Sequence, residues 1–141
     1  MAAADEAWRE LDGFRTRADG KSEFVRVRLA EGETRQLLDH SGDKTLIASV
    51  PFNAPNVRLV QLPEGLDQPP HPAPEPQIVV VLQGRLEVTV TGTGETRRWG
   101  AGAMVIAGDH DGVGHYTKTI DGPATVLFVP LGDLDFNRWV I

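Results

Sequence analysis

The sequence predicts an all-β domain, an antiparallel sandwich or barrel preceded by a short N-terminal helix. About eight to ten short segments have the apolar patterning of strands, and turn residues separate them at close intervals. Fifteen glycines and ten prolines among 141 residues suit short strands joined by many tight turns. A chain of this length forms a single core, so we expect a helical extension over residues 1–20 and one β domain over residues 21–141.

The N-terminal segment has apolar residues at helical spacing. Trp8, Leu11 and Phe14 recur three residues apart, and Asp5 could cap the first turn. These features predict a short amphipathic helix over residues 5–14 that packs on the outside of the domain.

Nine segments then have the length and patterning of strands. They cover residues 24–29, 46–50, 56–62, 78–82, 85–90, 96–99, 103–107, 115–119 and 124–130. Pro51 and Pro63 follow the second and third, where proline ends a strand. Residues 78–82 are apolar without interruption, which predicts a central strand that is buried on both faces.

Two further segments complete the chain. Residues 31–44 are polar and rich in turn residues, so we expect a loop there. The C-terminal residues 134–141 contain Phe136, Trp139 and Ile141, and so apolar a terminus is expected to dock on the barrel or on a partner chain.

The composition excludes several classes of function. The chain has no cysteine, which rules out disulfides, thiolate nucleophiles and cysteine-bound metals. A net charge of −6 without a basic cluster argues against nucleic acid and anionic membranes as partners. No apolar run is long enough to span a membrane, and the acidic start lacks the hydrophobic region of an export signal. We therefore expect a soluble cytoplasmic protein.

The most specific pattern is a stretch that reads GLDQPPHPAPEPQIVVVLQG. Its fixed positions are Gly65, His71, Ala73, Gln77 and Gly84. The spacing resembles the first motif of the cupin family: a glycine, five residues, a histidine, one residue, a second ligand, three residues, an acid or amide, six residues and a glycine. Ala73 stands where the family has a second histidine, and Gln77 occupies the acid position.

A second, weaker pattern is similar to the end of the second cupin motif. Gly112 and His115 keep its terminal spacing, His110 stands in place of a proline, and Gly102 lies two residues too far upstream. The resemblance covers about residues 65–130. It implies a jelly-roll barrel with a ligand site inside it, in a family whose members commonly form dimers.

The resemblance also implies a site at His71, Gln77 and His115, where the family holds one metal ion. All three side chains are neutral here, so we expect one weakly held divalent ion (Fe, Zn, Ni or Mn) or none. Four neighbouring side chains could supply a further donor: Glu75, Asp109, His110 and Asp111. Of these, Glu75 and His110 are expected to line the substrate pocket.

These residues leave several functions open. The first is an enzyme that acts on a small, carbonyl-bearing organic substrate, with His71 and His115 as its catalytic residues around a weak or absent metal. A metal-free isomerase, cyclase or dehydratase could use the same histidines as general acids and bases. The pattern is also compatible with a barrel that binds a small ligand without catalysis, and with an interaction protein whose site has decayed. A homodimer formed through Trp139 is expected.

Overall fold

The computed structural model describes residues 7–141 of the chain. This part contains twelve strands and two short 3-10 turns. The strands are β1 (Glu10–Thr16), β2 (Ser22–Arg28), β3 (Glu31–Leu37), β4 (Lys44–Ser49), β5 (Arg58–Leu62), β6 (Asp67–His71), β7 (Gln77–Gln83), β8 (Arg85–Val90), β9 (Thr96–Gly100), β10 (Met104–Gly108), β11 (His115–Thr119) and β12 (Ala124–Pro130). The turns are η1 (Ala7–Arg9) and η2 (Phe136–Trp139).

Strands β5 to β12 form a jelly roll. One sheet has the order β2-β1-β10-β7-β12-β5, and the sheet facing it has the order β6-β11-β8-β9. Within the eight strands, the chain passes back and forth between the two sheets, so neighbours in a sheet are mostly distant in sequence. This is the double-sheet, two-Greek-key arrangement of jelly rolls. The strand order thus confirms the all-β fold that the sequence predicts.

The predicted helix over residues 5–14 is wrong for the part that the structure describes. Only η1 is helical, Trp8 is 44% exposed, and the chain is extended from Glu10 onward. Residues 5 and 6 lie outside the described residues. Strand β1 pairs with β2 and runs parallel to β10, so residues 10–16 belong to the sheet and are not a helical extension of it.

A glycine explains why this segment prefers the sheet. A Cβ at Gly13 would meet the carbonyl oxygen of Ile106 at 3.2 Å, so the bare glycine backbone lets β1 lie close against β10. Leu11 and Phe14 are both buried, on opposite faces of this sheet. The burial of side chains on both faces stabilises the strand more than one apolar stripe would stabilise a short helix.

All nine predicted strands are confirmed in position, within a few residues at their ends. Residues 78–81 of β7 are buried or half-buried, whereas Leu82 at its end is 45% exposed. The prediction of a loop over residues 31–44 is wrong for β3, which pairs with β4 as a separate exposed hairpin. Its polar side chains alternate along two solvated faces, and so it lacks the apolar pattern of a buried strand.

Two apolar clusters hold the domain together. The inner cluster lies between the two sheets and combines Val79, Val81 and Val126 with Leu86 and Val88 of the opposite sheet. The outer cluster covers the other face of the larger sheet, and its buried members are Leu11, Val27, Leu29, Ile78, Ile106, Leu131 and Phe136. No helix among the described residues is long and apolar enough to cross a membrane.

The C-terminal residues dock on their own domain, one of the two possibilities that the sequence allows. Phe136 is 2% exposed, and Trp139 and Val140 pack on the outer cluster. The backbone N–H of Ile141 donates a hydrogen bond to the carbonyl of Arg26 at 2.9 Å. A homodimer through the tail stays a prediction.

Candidate functional site

A cavity of about 250 Å³ lies between the two sheets of the jelly roll. Most of its wall is apolar and comes from both sheets. Its lining residues include Phe14, Arg58, His71, Gln77, Trp99 and His115. A concave, largely apolar pocket with a few convergent polar groups is typical of a small-molecule site.

The pairing of β6 with β11 brings the two site histidines together. His71 lies opposite His115 in the register, and the centroids of their rings are 4.7 Å apart. Gly114 makes this approach possible, because a Cβ there would overlap the carbonyl group of His71 at 2.1 Å. Its φ of +91° is also one that residues with a side chain rarely adopt. Gly114 therefore has a structural reason, although it occupies an unspecified position of the second motif, between Gly112 and His115.

Asp109 holds His115 from behind the cavity. One carboxylate oxygen, Oδ2, lies 2.8 Å from His115 Nδ1, and the other, Oδ1, accepts a hydrogen bond from the backbone N–H of Ala73 at 3.2 Å. The Asp109 side chain is 0% exposed and that of His115 is 7% exposed. A carboxylate accepts hydrogen bonds, so Nδ1 of His115 carries the proton and donates a hydrogen bond to Asp109.

His71 has the same tautomer for a different reason. Its Nδ1 lies 3.0 Å from the carbonyl oxygen of Pro69, which can only accept a hydrogen bond. With Nδ1 protonated in both neutral rings, the lone pairs are on Nε2. Among residues 7–141, neither Nε2 has a hydrogen-bond partner in the protein. Two basic nitrogens are therefore free to contact a ligand.

Gln77 contributes a polar group that the protein does not satisfy. It lies at the start of β7, lines the cavity and is 5% exposed. Within the described part of the chain, its side-chain amide has no hydrogen-bond partner. The amide is not among the fully buried polar atoms that lack a partner, so it is open to the cavity, where a ligand or water can bond to it.

The structure brings His71, Gln77 and His115 to one cavity, but it does not bring Glu75 and His110 there. Both residues are exposed and neither contributes to the wall of this cavity, so their place in a substrate pocket stays a prediction. The His110 ring turns back on its own loop, where Nδ1 lies 3.3 Å from the carbonyl oxygen of Gly108. Glu75 lies in the exposed turn between β6 and β7.

The sequence pattern missed three residues of the cavity wall, which lie on β1, β9 and β5. Phe14 packs against His115 with ring centroids 4.5 Å apart. Trp99 lines the cavity and donates its indole N–H to Asp12 at 3.1 Å. Arg58 lines the cavity from β5. Only the strand register, which no local pattern encodes, places these residues at the site.

The donors at the site fit a resident metal poorly. Among residues 7–141, no group of three or more His, Asp or Glu side chains is placed to hold a metal ion. His71, His115 and Gln77 together offer two neutral imidazoles and one amide, without a carboxylate to supply charge. Asp109 already accepts two hydrogen bonds behind His115. A divalent ion at these residues stays a prediction, and no step below depends on one.

Comparisons with known proteins give a weak structural likeness. No protein-family model matches the sequence, and no curated protein matches it at a significant level. One solved structure, the conserved SPY1581 protein of unknown function from Streptococcus pyogenes, has 20% identity and a TM-score of 0.45 over 62% of this chain and 72% of that one. The Cnp3 cupin domain of Schizosaccharomyces pombe has 18% identity and a TM-score of 0.44 over 89% of this chain and 85% of that one.

Proposed function

We propose that this chain is a cupin-type enzyme that transfers a proton on a small, carbonyl-bearing organic molecule held inside the jelly roll. His115 acts as the general base, Asp109 positions it, and Gln77 binds the carbonyl oxygen. The observation that carries the proposal is the buried hydrogen bond of 2.8 Å between Asp109 and His115 at the wall of the cavity.

The carboxylate gives His115 one defined role. Because Nδ1 donates to Asp109, Nε2 is the nitrogen that can accept a proton from a ligand. When the ring takes up that proton, Asp109 faces the positive charge that forms. A general base that is oriented in this way accelerates a proton transfer by about 10²–10⁴-fold.

The chemical step is an isomerisation that balances without a co-reactant. Nε2 of His115 takes a proton from the carbon next to the carbonyl, and the C–H electron pair forms a carbon–carbon double bond. The carbonyl π electrons move to oxygen, where an amide N–H of Gln77 donates a hydrogen bond to the developing charge. A proton returned to oxygen gives the enol, and a proton returned to the same carbon restores the carbonyl compound. His115 itself returns this proton, and the neutral His71 beside it offers Nε2 as a hydrogen-bond acceptor.

Exchange of hydrogen with solvent tests this proposal without knowledge of the physiological substrate. Small ketones, aldehydes and 2-oxo acids are incubated with the protein in D₂O, and deuterium next to the carbonyl is measured by NMR. We expect exchange above the buffer rate for at least one class, and a loss of about 10²-fold or more in His115→Gln. Exchange that persists unchanged in a folded His115→Gln protein would refute the proposal.

A ligand-binding protein without catalysis is the second candidate. The largely apolar wall, with Phe14, Val79 and Trp99 around few polar groups, favours it. Binding of a carbonyl compound without any exchange, in wild type and variants alike, would support this second candidate over the enzyme.

The predicted metal is tested separately. Metal analysis of protein purified without a histidine tag gives the content per chain. A content near one ion that falls in both His71→Ala and His115→Ala would establish a metal site. Such a result would replace the metal-free step proposed above.

A further inference from the structure

We infer that the cavity selects small organic anions, and that Arg58 binds their carboxylate at the opening of the cavity. This inference rests on the proposed function, because it names the substrate class of the same site. It follows from the charge of the cavity wall, the position of Arg58 in the sheet and the amide of Gln77 that faces the cavity.

The cavity wall carries a positive charge that nothing in the wall neutralises. Arg58 lines the cavity, and among residues 7–141 no carboxylate lines it. Within the same residues, Arg58 has no ion pair or hydrogen bond from its side chain. By contrast, Arg26, Arg28 and Arg97 each pair with a carboxylate of β1. The chain has a net charge of −6, so it contains more acidic than basic side chains, yet none of the acidic ones pairs with Arg58 among residues 7–141.

The strand register aims Arg58 at the cavity and not at the outer face of the sheet. Arg58 lies opposite Phe128 on β12, and Phe128 lies opposite Val79 on β7. Directly opposed residues in an antiparallel pair extend from the same face of the sheet. Phe128 and Val79 both line the cavity, so the register gives Arg58 the same direction. Its exposure to solvent places it at the opening.

The spacing between Arg58 and Gln77 suits a small bifunctional ligand. Gln77 lies two residues from Val79 along β7, and Val79 is two strands away from Arg58. Strand spacing and rise then separate the two Cα atoms by roughly 12 Å. The arginine and glutamine side chains both extend into this gap, which leaves room for a short molecule. The volume of about 250 Å³ is also small for a ligand site.

The side chains at the two ends of the cavity identify the class of ligand. A guanidinium binds a carboxylate through two parallel hydrogen bonds, and it stays charged at every working pH. At the other end, Gln77 and His115 suit a carbonyl group and its neighbouring carbon. A small oxo acid, with its carboxylate at Arg58 and its reacting carbonyl at Gln77, satisfies both.

A matched pair of probes tests the inference: 2-oxobutanoate and its neutral amide, 2-oxobutanamide. Their dissociation constants are measured by calorimetry for wild type, Arg58→Gln, Arg58→Lys and Arg138→Gln, the last an exposed arginine outside the cavity. We expect wild type and Arg138→Gln to prefer the acid by about tenfold. In Arg58→Gln the preference should vanish, and Arg58→Lys should keep part of it.

The outcomes separate this inference from the proposed function. Three results would overturn the inference. They are equal binding of the acid and the amide by wild type, a preference for the acid that persists in Arg58→Gln, and no binding of either probe. An Arg58-dependent preference without deuterium exchange would support the anion site and contradict the enzyme. Deuterium exchange on neutral ketones, without preferential binding of acids, would support the enzyme and contradict the anion site.

Discussion

Replacement of Asp109 by asparagine changes one oxygen to a nitrogen at the centre of the proposed site. The backbone N–H of Ala73 donates to one carboxylate oxygen, and Nδ1 of His115 donates to the other. Asparagine has one acceptor and one donor end, so it cannot accept both bonds. If its oxygen keeps the bond from Ala73, its amide N–H₂ faces His115.

Two arrangements are then possible, and their costs differ. The amide can turn its oxygen toward His115, which leaves the Ala73 N–H facing a donor and costs about 1–3 kcal/mol. In the second arrangement, the proton of His115 moves from Nδ1 to Nε2, and all hydrogen bonds near residue 109 are kept. The second arrangement is cheaper by that amount, so we expect the Nε2–H tautomer to dominate by roughly 5–150-fold.

The assay is NMR of the histidine ring nitrogens in wild type, Asp109→Asn and the control Asp111→Asn. Asp111 is an exposed carboxylate two residues away in the same loop. Wild type and control should show His115 protonated on Nδ1, and Asp109→Asn should show it protonated on Nε2. Because Nε2–H cannot accept a proton, exchange activity should fall by about 10²–10⁴-fold.

An Asp109→Asn protein that folds, keeps the proton on Nδ1 and exchanges deuterium at the wild-type rate would refute this reasoning. A changed tautomer with full activity would refute the role of His115 as the base, and leave its contact with Asp109 as purely structural.

Three further predictions follow from contacts elsewhere in the chain. Gly114→Ala should lower the free energy of unfolding in urea by at least ~2 kcal/mol, because the new Cβ overlaps the His71 backbone and the positive φ is strained. The control Gly94→Ala should lower it less, since Gly94 has a φ of +76° but no atom within 4 Å of the added Cβ. Phe136→Ala should lower the free energy of unfolding by about 3–5 kcal/mol, because it leaves a cavity where the Phe136 ring is buried. The hydrogen bond from Arg17 lowers the pKa of Asp19 to about 2, so this carboxyl should stay ionised at pH 3 and titrate at higher pH in Arg17→Gln.

The lowered pKa of Asp19 determines the sign of its effect on stability. A carboxyl whose pKa is lowered in the folded state stabilises the fold above its ordinary pKa, and the contribution is lost as the pH falls toward about 2. The group is exposed on the turn between β1 and β2, so solvent screens the effect. Wild type should therefore lose slightly more stability than Arg17→Gln between pH 4 and pH 2, and equal losses would contradict the assignment.

Much of the fold can be predicted from the sequence because its buried strands carry local signals. The glycines, histidine and apolar run in residues 65–84 resemble the first cupin motif, which implies a jelly roll, and the strand order agrees with it. Gly84 has a positive φ of +79°, and a Cβ there would meet the carbonyl of Pro123 at 2.3 Å, so this motif position has a backbone reason. Strands β1, β3 and β6 escape prediction, because the signal is ambiguous in the first, polar in the second and interrupted by two prolines in the third.

The candidate site can be predicted only where the motif positions carry it. His71, Gln77 and His115 reach one cavity because strand periodicity and register fix their direction. Glu75 and His110 are near them in sequence, yet loop geometry turns both toward solvent. Arg58 and the contact of Asp109 with His115 depend on pairings between distant segments, which one sequence does not encode locally.

A crystal structure of the protein with 2-oxobutanoate tests the central claim most directly. We predict the carbonyl oxygen at about 2.7–3.2 Å from the Gln77 amide, with the carboxylate paired to Arg58. The carbon next to the carbonyl should face Nε2 of His115, whose Nδ1 stays bonded to Asp109. A ligand that binds outside the cavity, or inside it with its carbonyl turned away from Gln77 and His115, would contradict the account.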